Sequence, residues 1–204
     1  MLLHRAISHN WHLGPLLCLA TALACANPSA SAGGLRDISV KVEGKRYFLH
    51  ADSWVRLSSQ EVKRALADFV NLPRLNGSLK HVKILERLAN GGTRMEAQSE
   101  FCLLAVCQQF TWVQDVIFMS NGDMAMTIVP NRGDFRAGKG RWRMHEDSGG
   151  TRLTFDIELT PNFWLPSVFG PWLMKRQLSA DTIATIEGLE KLAGHRGKAL
   201  GDTP

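Results

Sequence analysis

Alternation of apolar and polar residues, interrupted at intervals by tight-turn signals, runs through the middle of this 204-residue chain. The turn signals are Asn90-Gly91-Gly92, Asn121-Gly122 and Ser148-Gly149-Gly150, residue types that favour hairpin turns. Together with the alternation they predict six strands, over residues 79–88, 93–103, 107–119, 123–129, 137–145 and 151–159. Because strands joined by hairpins run antiparallel, this part of the chain predicts an antiparallel sheet.

Segments on either side complete an α+β pattern. Strand signals at 38–42 and 46–57 come first, and Ser58-Ser59 with Glu61 then favours a helix start. Pro73 ends that helix, and a second short helical turn is expected before Gly77. Beyond Pro166 the period becomes helical, and the apolar stripe predicted for this last helix is Val168, Trp172, Ile183, Ile186 and Leu189. We therefore expect a curved antiparallel sheet wrapped around a long C-terminal helix, with two short helices after the first strand.

The N-terminal segment has the features of an export signal. His4 and Arg5 precede an apolar run over 13–26, and Ala30-Ser31-Ala32 offers a cleavage site. The run is shorter than the roughly 20 residues of a membrane span. We predict cleavage after Ala32, with an earlier site at 24–26 and an uncleaved buried helix as alternatives. The predicted divisions are a signal peptide at 1–32, a domain at 33–193 and a polar tail at 194–204, in an exported, periplasmic protein.

Two cysteines, Cys102 and Cys107, remain after this cleavage. Their spacing, with no histidine nearby, is a poor zinc site and differs from the C-x-x-C of redox enzymes. In an oxidising compartment a structural disulfide that closes a hairpin is the better interpretation. The residues between them are apolar (103–106), and this tip is expected to border a cavity, touch a membrane or be buried in the domain.

A pairing of Cys102 with Cys107 would also fix the strand register. It places Ala97 opposite Trp112, Ser99 opposite Phe110 and Phe101 opposite Gln108, with the apolar residues on one face. Methionine and tryptophan recur on the inward positions of the later strands. Such a wall suits either an ordinary filled core or a cavity for a flat apolar ligand.

The sequence predicts no catalytic residue, no metal site and no cofactor. Nucleophile elbows, phosphate loops and dinucleotide fingerprints are all missing from the sequence. A basic group on one predicted hairpin could attract lipid headgroups or form only a solvated face; it comprises Arg132, Arg136, Lys139, Arg141 and Arg143. The export signal argues against nucleic acid as a partner.

Several stretches resemble the START-like (SRPBCC) superfamily, and within it the polyketide cyclase/dehydrase and coenzyme Q-binding group. They are Gly44 to Tyr47, residues 67–75, Asp134 to Trp142, residues 151–155 and residues 161–176. The resemblance covers 38–192 and implies a helix-grip fold with a deep apolar cavity for lipids, quinones or polycyclic molecules. The chain departs from the family in its export signal, its cysteine pair and Asn76-Gly77, where a proline is frequent.

The sequence therefore predicts an exported, non-catalytic protein that binds a hydrophobic small molecule or lipid, with possible transient contact with a membrane surface. The predicted ligand-binding residues are Met95, Phe101, Phe110, Trp112, Gln114, Met126, Trp142, Met144, Phe155 and Trp172. One alternative is a cyclase/dehydrase-like enzyme, for which Gln114, Ser99 or Arg176 would have to act as acid or base. Another is a peripheral envelope protein that uses the basic hairpin and the apolar tip to bind anionic lipid.

Overall fold

The computed structural model describes residues 34–103, 106–163 and 168–201. The predicted element order is confirmed, with the two predicted N-terminal strands preceding the short helices. The strands are β1 (Gly34–Glu43), β2 (Arg46–Val55), β3 (Leu79–Arg87), β4 (Thr93–Leu103), β5 (Val106–Phe118), β6 (Met124–Gly133), β7 (Phe135–Asp147) and β8 (Gly150–Pro161). The helices are α1 (Ser59–Ala67), a 3₁₀ helix (Phe69–Arg74) and α2 (Gly170–Gly201).

All eight strands form one antiparallel sheet in the order β1-β2-β8-β7-β6-β5-β4-β3. From β3 to β8 each strand pairs with its successor, as the hairpin signals predict. The β1–β2 hairpin then joins the other side of β8. Consequently α1 and the 3₁₀ helix connect β2 to β3, which forms the far edge of the sheet.

The predicted register of the β4–β5 hairpin is confirmed. Cys102 lies opposite Cys107, and Ser99 lies opposite Phe110. On the predicted inner face Met95 is buried, whereas Gln109 on the outer face is exposed. The backbone register therefore permits a cysteine bridge, but the side chain of Cys102 and residues 104–105 of the apolar tip lie outside the described residues, so the disulfide stays a prediction.

The long helix α2 follows its predicted stripe only in its middle turns. Ile186 and Leu189 are fully buried, but Val168, which precedes the helix, is 91% exposed and Trp172 is 53% exposed. The buried apolar side chain near the helix start is Met174. The stripe prediction fails there because the inward face of these turns carries polar residues between its apolar ones. The helix also continues to Gly201, through most of the segment assigned to a polar tail.

Two groups of buried side chains make up the core between sheet and helix. One contains Val62 and Leu66 of α1 with Leu189 of α2, and the other centres on Tyr47, Phe135 and Met174. The predicted signal peptide lies outside the described residues. Among the residues that the structure describes, no helix is long and apolar enough to cross a membrane.

Candidate ligand-binding site

A cavity of about 230 Å³ lies where the two core groups meet, between the inner face of the sheet and α2. Ligand sites of drug-sized molecules are typically about 300–1,000 Å³, so this cavity lies just below that range. Most of its wall is apolar and comes from the strands β4 to β8, the 3₁₀ helix and α2. The cavity thus lies between the sheet and the long helix, where the sequence predicted a ligand to bind.

Seven of the ten predicted ligand-binding residues line this cavity: Met95, Phe110, Trp112, Gln114, Met126, Trp142 and Phe155. They share the inner face because strand residues two apart point the same way. The rings of Trp142 and Phe155 stack at 4.2 Å between centroids. The indole N–H of Trp112 donates to Oε1 of Gln114 at 3.1 Å, which orients that amide at the wall.

The other three predicted residues do not line the cavity. Phe101 is half-buried near the β4–β5 turn, and Met144 is buried in the core group that includes α1. Trp172 points away because the inward face of its helix is set by Met174 and Leu178. Alternation and stripe position, which predict these three residues, give the face of an element on which a residue lies but not its distance along the cavity.

Two glycines of β7 shape the opposite wall. A Cβ on Gly138 would lie 2.6 Å from Leu159 Cδ2 and 2.7 Å from Ile128 Cγ1, and one on Gly140 would lie 2.8 Å from Met126 Cε. Real Cβ atoms do not approach other atoms so closely. The bare backbone of β7 therefore lets side chains of β6 and β8 form the cavity surface.

A cluster of aromatic side chains forms one part of the cavity wall. Phe110 and Phe163 lie 4.7 Å apart between ring centroids, and Phe135 makes edge contacts with Phe163 and Trp112 at 6.0 and 5.8 Å. Edge-to-face and offset ring pairs stabilise a core beyond the area that they bury. This part of the cavity therefore offers rigid, flat surfaces to a ligand.

Sequence reasoning missed a polar cluster in the wall. Asp181 of α2 lines the cavity, accepts a hydrogen bond at 2.8 Å from Gln177 Nε2 and contacts the Ser78 hydroxyl through Oδ1. Asn76 donates to the carbonyl oxygen of Asp181 at 3.0 Å and to Thr185 Oγ1 at 3.3 Å. The cluster joins the loop before β3 to the middle of α2.

The protonation of Asp181 follows from its surroundings. Burial raises the pKa of the Asp181 carboxyl, and hydrogen bonds with Ser78 and Gln177 oppose that rise without cancelling it. The Ser78 hydroxyl has one hydrogen but lies close to two oxygens, Asp181 Oδ1 and, at 2.7 Å, Asn76 Oδ1. A protonated Asp181 satisfies both contacts, because it donates to Ser78 while Ser78 donates to Asn76. Both observations favour the neutral acid.

A signal for this cluster was present in the sequence. Met174, Gln177, Leu178, Asp181, Thr182 and Thr185 follow the i, i+3, i+4, i+7, i+8, i+11 spacing of one helical face. A search restricted to apolar stripes overlooks this face, since four of its six residues are polar. Polar residues on an inward face are the usual means by which an apolar cavity orients a ligand.

The basic hairpin is less available to an anionic surface than the sequence suggested. Lys139 pairs with Glu158 at 3.2 Å, and Arg143 pairs with Asp156, which also contacts His50 at 2.7 Å. Paired charges attract a further anion less strongly. No group of three or more metal-ligating side chains lies together in the described parts of the chain.

Comparison with known proteins identifies relatives of this architecture. The profile of a family described as "Polyketide cyclase / dehydrase and lipid transport" matches residues 52–194. No curated protein matches the sequence.

Several solved structures share the fold at low identity. The Zhui aromatase/cyclase of Streptomyces sp. R1128 is 14% identical, with a TM-score of 0.64 over 78% of this chain and 99% of that one. A START superfamily protein of Mycobacterium smegmatis is 18% identical, with a TM-score of 0.59 over 71% and 98%. A STAR-related lipid transfer protein of Xanthomonas axonopodis is 14% identical, with a TM-score of 0.56 over 79% and 96%. At these identities the likeness establishes the helix-grip fold alone.

Proposed function

The chain belongs to the polyketide cyclase/dehydrase and lipid transport family, and from this premise we propose that it is an exported, non-catalytic binding protein for a hydrophobic ligand. The ligand is a lipid, a quinone or a polycyclic molecule held between the sheet and α2. The observation that carries the proposal is the cavity of about 230 Å³ with aromatic and methionine walls and one polar cluster. A lipid-transfer and an aromatase/cyclase protein both appear among the structural relatives.

The distribution of polar groups limits the chemistry of the ligand. The wall is apolar except at a few points, chiefly Gln114 on the sheet and the cluster around Asp181 on α2. A neutral Asp181 and the Gln114 amide both suit a hydroxyl or carbonyl group. Lys139 also lines the cavity, but its side chain is 76% exposed and is already paired with Glu158 at 3.2 Å, so it offers little to a ligand carboxylate. Burying about 200 Å² of apolar ligand surface would contribute about 5 kcal/mol before the costs of association. We therefore expect an uncharged apolar molecule with one or two oxygen functions.

Filling the cavity provides the direct test. Ser99 is a small residue on the cavity wall, so Ser99→Leu would occupy ligand space and lower the affinity for the neutral probe N-phenyl-1-naphthylamine about tenfold or more. Fluorescence titration measures the affinity, and mass spectrometry of extracts from the periplasm identifies the natural ligand. The matched control is Gln109→Leu, which lies on the exposed outer face of the neighbouring strand. Equal probe affinity in the two variants, or no extractable ligand, would contradict the proposal.

A cyclase/dehydrase-like enzyme is the second candidate, and Asp181 is the observation that favours it. Such chemistry needs an acid or base aimed into the cavity, and a carboxyl with a raised pKa meets that need better than Ser99, Gln114 or Arg176. Asp181→Asn would then abolish turnover of an aromatic polyketide substrate while ligand affinity stays within a few-fold. A carrier would instead show stoichiometric binding and no product with either form.

Export and the disulfide are parts of the same proposal. Cleavage after Ala32 gives a periplasmic protein that begins at Gly33, which N-terminal sequencing of the periplasmic fraction tests. The Cys102–Cys107 register supports a bridge, which intact mass after thiol alkylation with and without reduction detects. Alkylation of both cysteines without reduction would reject the bridge.

A further inference from the structure

Exposed apolar side chains are concentrated at one place, the start of α2. Among the described residues six large apolar side chains are more than a third exposed, and three of them are Val168, Phe169 and Trp172. Val168 is 91% exposed and Trp172 is 53% exposed, whereas the remaining three lie apart along the chain. Grouped apolar exposure on a soluble domain is typical of an interaction surface.

Basic residues flank these side chains without acidic neighbours in sequence. Lys175 and Arg176 are exposed one helical turn after Trp172, and residues 162–180 contain no aspartate or glutamate. The Arg176 guanidinium lies over the Trp172 ring, 5.6 Å from its centroid. Neither cation forms an ion pair with another described residue. Their charge is therefore free to act on an external anion.

We propose that Val168, Phe169, Trp172, Lys175 and Arg176 form a docking surface for an anionic lipid bilayer. Tryptophan is favoured at the boundary between headgroups and acyl chains, where its ring is half in each phase. Valine and phenylalanine insert into the acyl region, and each nearby cation adds attraction to anionic headgroups. The combination of inserted apolar groups with flanking cations matches this one kind of partner in both polarity and charge.

The docking surface adjoins the cavity wall, which connects it to the proposed function. Met174, two residues after Trp172, is buried and lines the cavity, as does Leu178 one turn further along. The first turns of α2 therefore present one face to the ligand and another to solvent. Docking would bring this wall of the cavity to the membrane, from which an apolar ligand is taken or to which it is delivered. The transfer of a ligand between cavity and membrane rests on the proposed function, whereas the docking itself does not.

Vesicle binding by the purified protein tests the proposal. Co-sedimentation is measured with vesicles of phosphatidylcholine alone and of phosphatidylcholine and phosphatidylglycerol in equal parts. One variant combines Val168→Ser with Trp172→Ser, and a second combines Lys175→Gln with Arg176→Gln. The control combines Val70→Ser with Leu192→Ser, which removes two exposed apolar side chains, 61% and 45% exposed, from elsewhere on the domain.

We expect the first variant to bind the mixed vesicles at least about tenfold more weakly than wild type. The second variant should lose about tenfold in affinity for the mixed vesicles but little in affinity for pure phosphatidylcholine vesicles. Its binding should also no longer weaken as salt is added. The control should bind like wild type. All variants should keep the wild-type affinity for N-phenyl-1-naphthylamine, which separates loss of docking from loss of the ligand site.

Unchanged vesicle binding by the first variant would overturn the proposal, as would a wild-type protein that ignores the mixed vesicles. A wild-type dimer that the first variant converts to a monomer would assign this surface to a second copy of the chain and also overturn it. Analytical ultracentrifugation without lipid makes that measurement.

Discussion

Asp181 lies where the apolar cavity meets the loop before β3, and its environment favours the uncharged carboxyl. Its hydrogen-bond partners are the neutral groups Ser78 and Gln177, and the shift of its pKa comes from burial and these two partners, without a cation. Carboxyls on the outer sheet face behave oppositely. A hydrogen bond with Arg152 holds the pKa of Asp52 below its usual value despite partial burial. The same side-chain chemistry thus supports a neutral group inside and a charged pair outside.

This difference predicts how stability depends on pH. The folded-state pKa of Asp181 is raised, so the protonated carboxyl stabilises the fold. This contribution to stability is fully present below the pKa of the unfolded carboxyl and is lost as pH rises through the folded pKa. Asp181→Asn should remove this loss, so that the melting temperature of the variant gains on wild type as pH rises through that interval. Thermal unfolding of both proteins across a pH series measures it.

Ser78→Ala is the control for the hydrogen bond itself, because it removes the partner while leaving the carboxyl. It should lower stability without removing the pH dependence. If the difference in melting temperature between wild type and Asp181→Asn were the same at every pH, the assignment of a raised pKa to Asp181 would be contradicted.

At the scale of elements, α2 is held close to the loop after the 3₁₀ helix by a glycine. A Cβ on Gly188 would lie 2.4 Å from the carbonyl oxygen of Leu75 and 2.8 Å from its Cα. This close approach keeps Asn76, the next residue, within hydrogen-bonding distance of α2. The Asn76-Gly77 sequence that departs from the family pattern is therefore part of the contact that positions the polar cluster.

Gly188→Ala should destabilise the protein, although alanine ordinarily favours a helix over glycine by about 1 kcal/mol. The added carbon meets backbone atoms that cannot turn aside, and overpacking of this kind costs about 1–3 kcal/mol. Urea unfolding measures the change. Gly194→Ala is the matched control in the same helix, since nothing lies within 4 Å of its Cβ position. It should stabilise by about 0.5–1 kcal/mol, and equal effects of the two substitutions would refute the close-contact argument.

The elements differ in how far the sequence predicts them. The cysteine pair and the alternation of apolar residues involve only neighbouring parts of the chain, so the β4–β5 register and the inward position of Trp112 could be inferred. The orientation of α2 could not, because its inward face near Asp181 is polar, and a stripe argument assumes that inward means apolar. The distance of Phe101 and Met144 from the cavity depends on sheet curvature, which alternation does not encode.

At the scale of the whole molecule, the cavity lies where the two core groups meet. Its wall includes Leu66 and Met95 from one group and Phe135 and Met174 from the other. A bound ligand would therefore contact both groups at once, and its binding energy would be lost whenever sheet and helix separate. Ligand occupancy and global stability should consequently be linked.

Removing the ligand tests that link. A ligand present at about 100 times its dissociation constant stabilises the folded state by about 2.7 kcal/mol, which for a domain of this size is a melting shift of about 5–10 °C. Protein from the periplasm should therefore melt lower after treatment with a hydrophobic resin, with loss of ligand confirmed by mass spectrometry. Ser99→Leu, whose cavity is partly filled, should carry less ligand and change little on the same treatment. Identical melting before and after proven ligand loss would mean that the molecule is held outside the core, and the cavity would then not be its binding site.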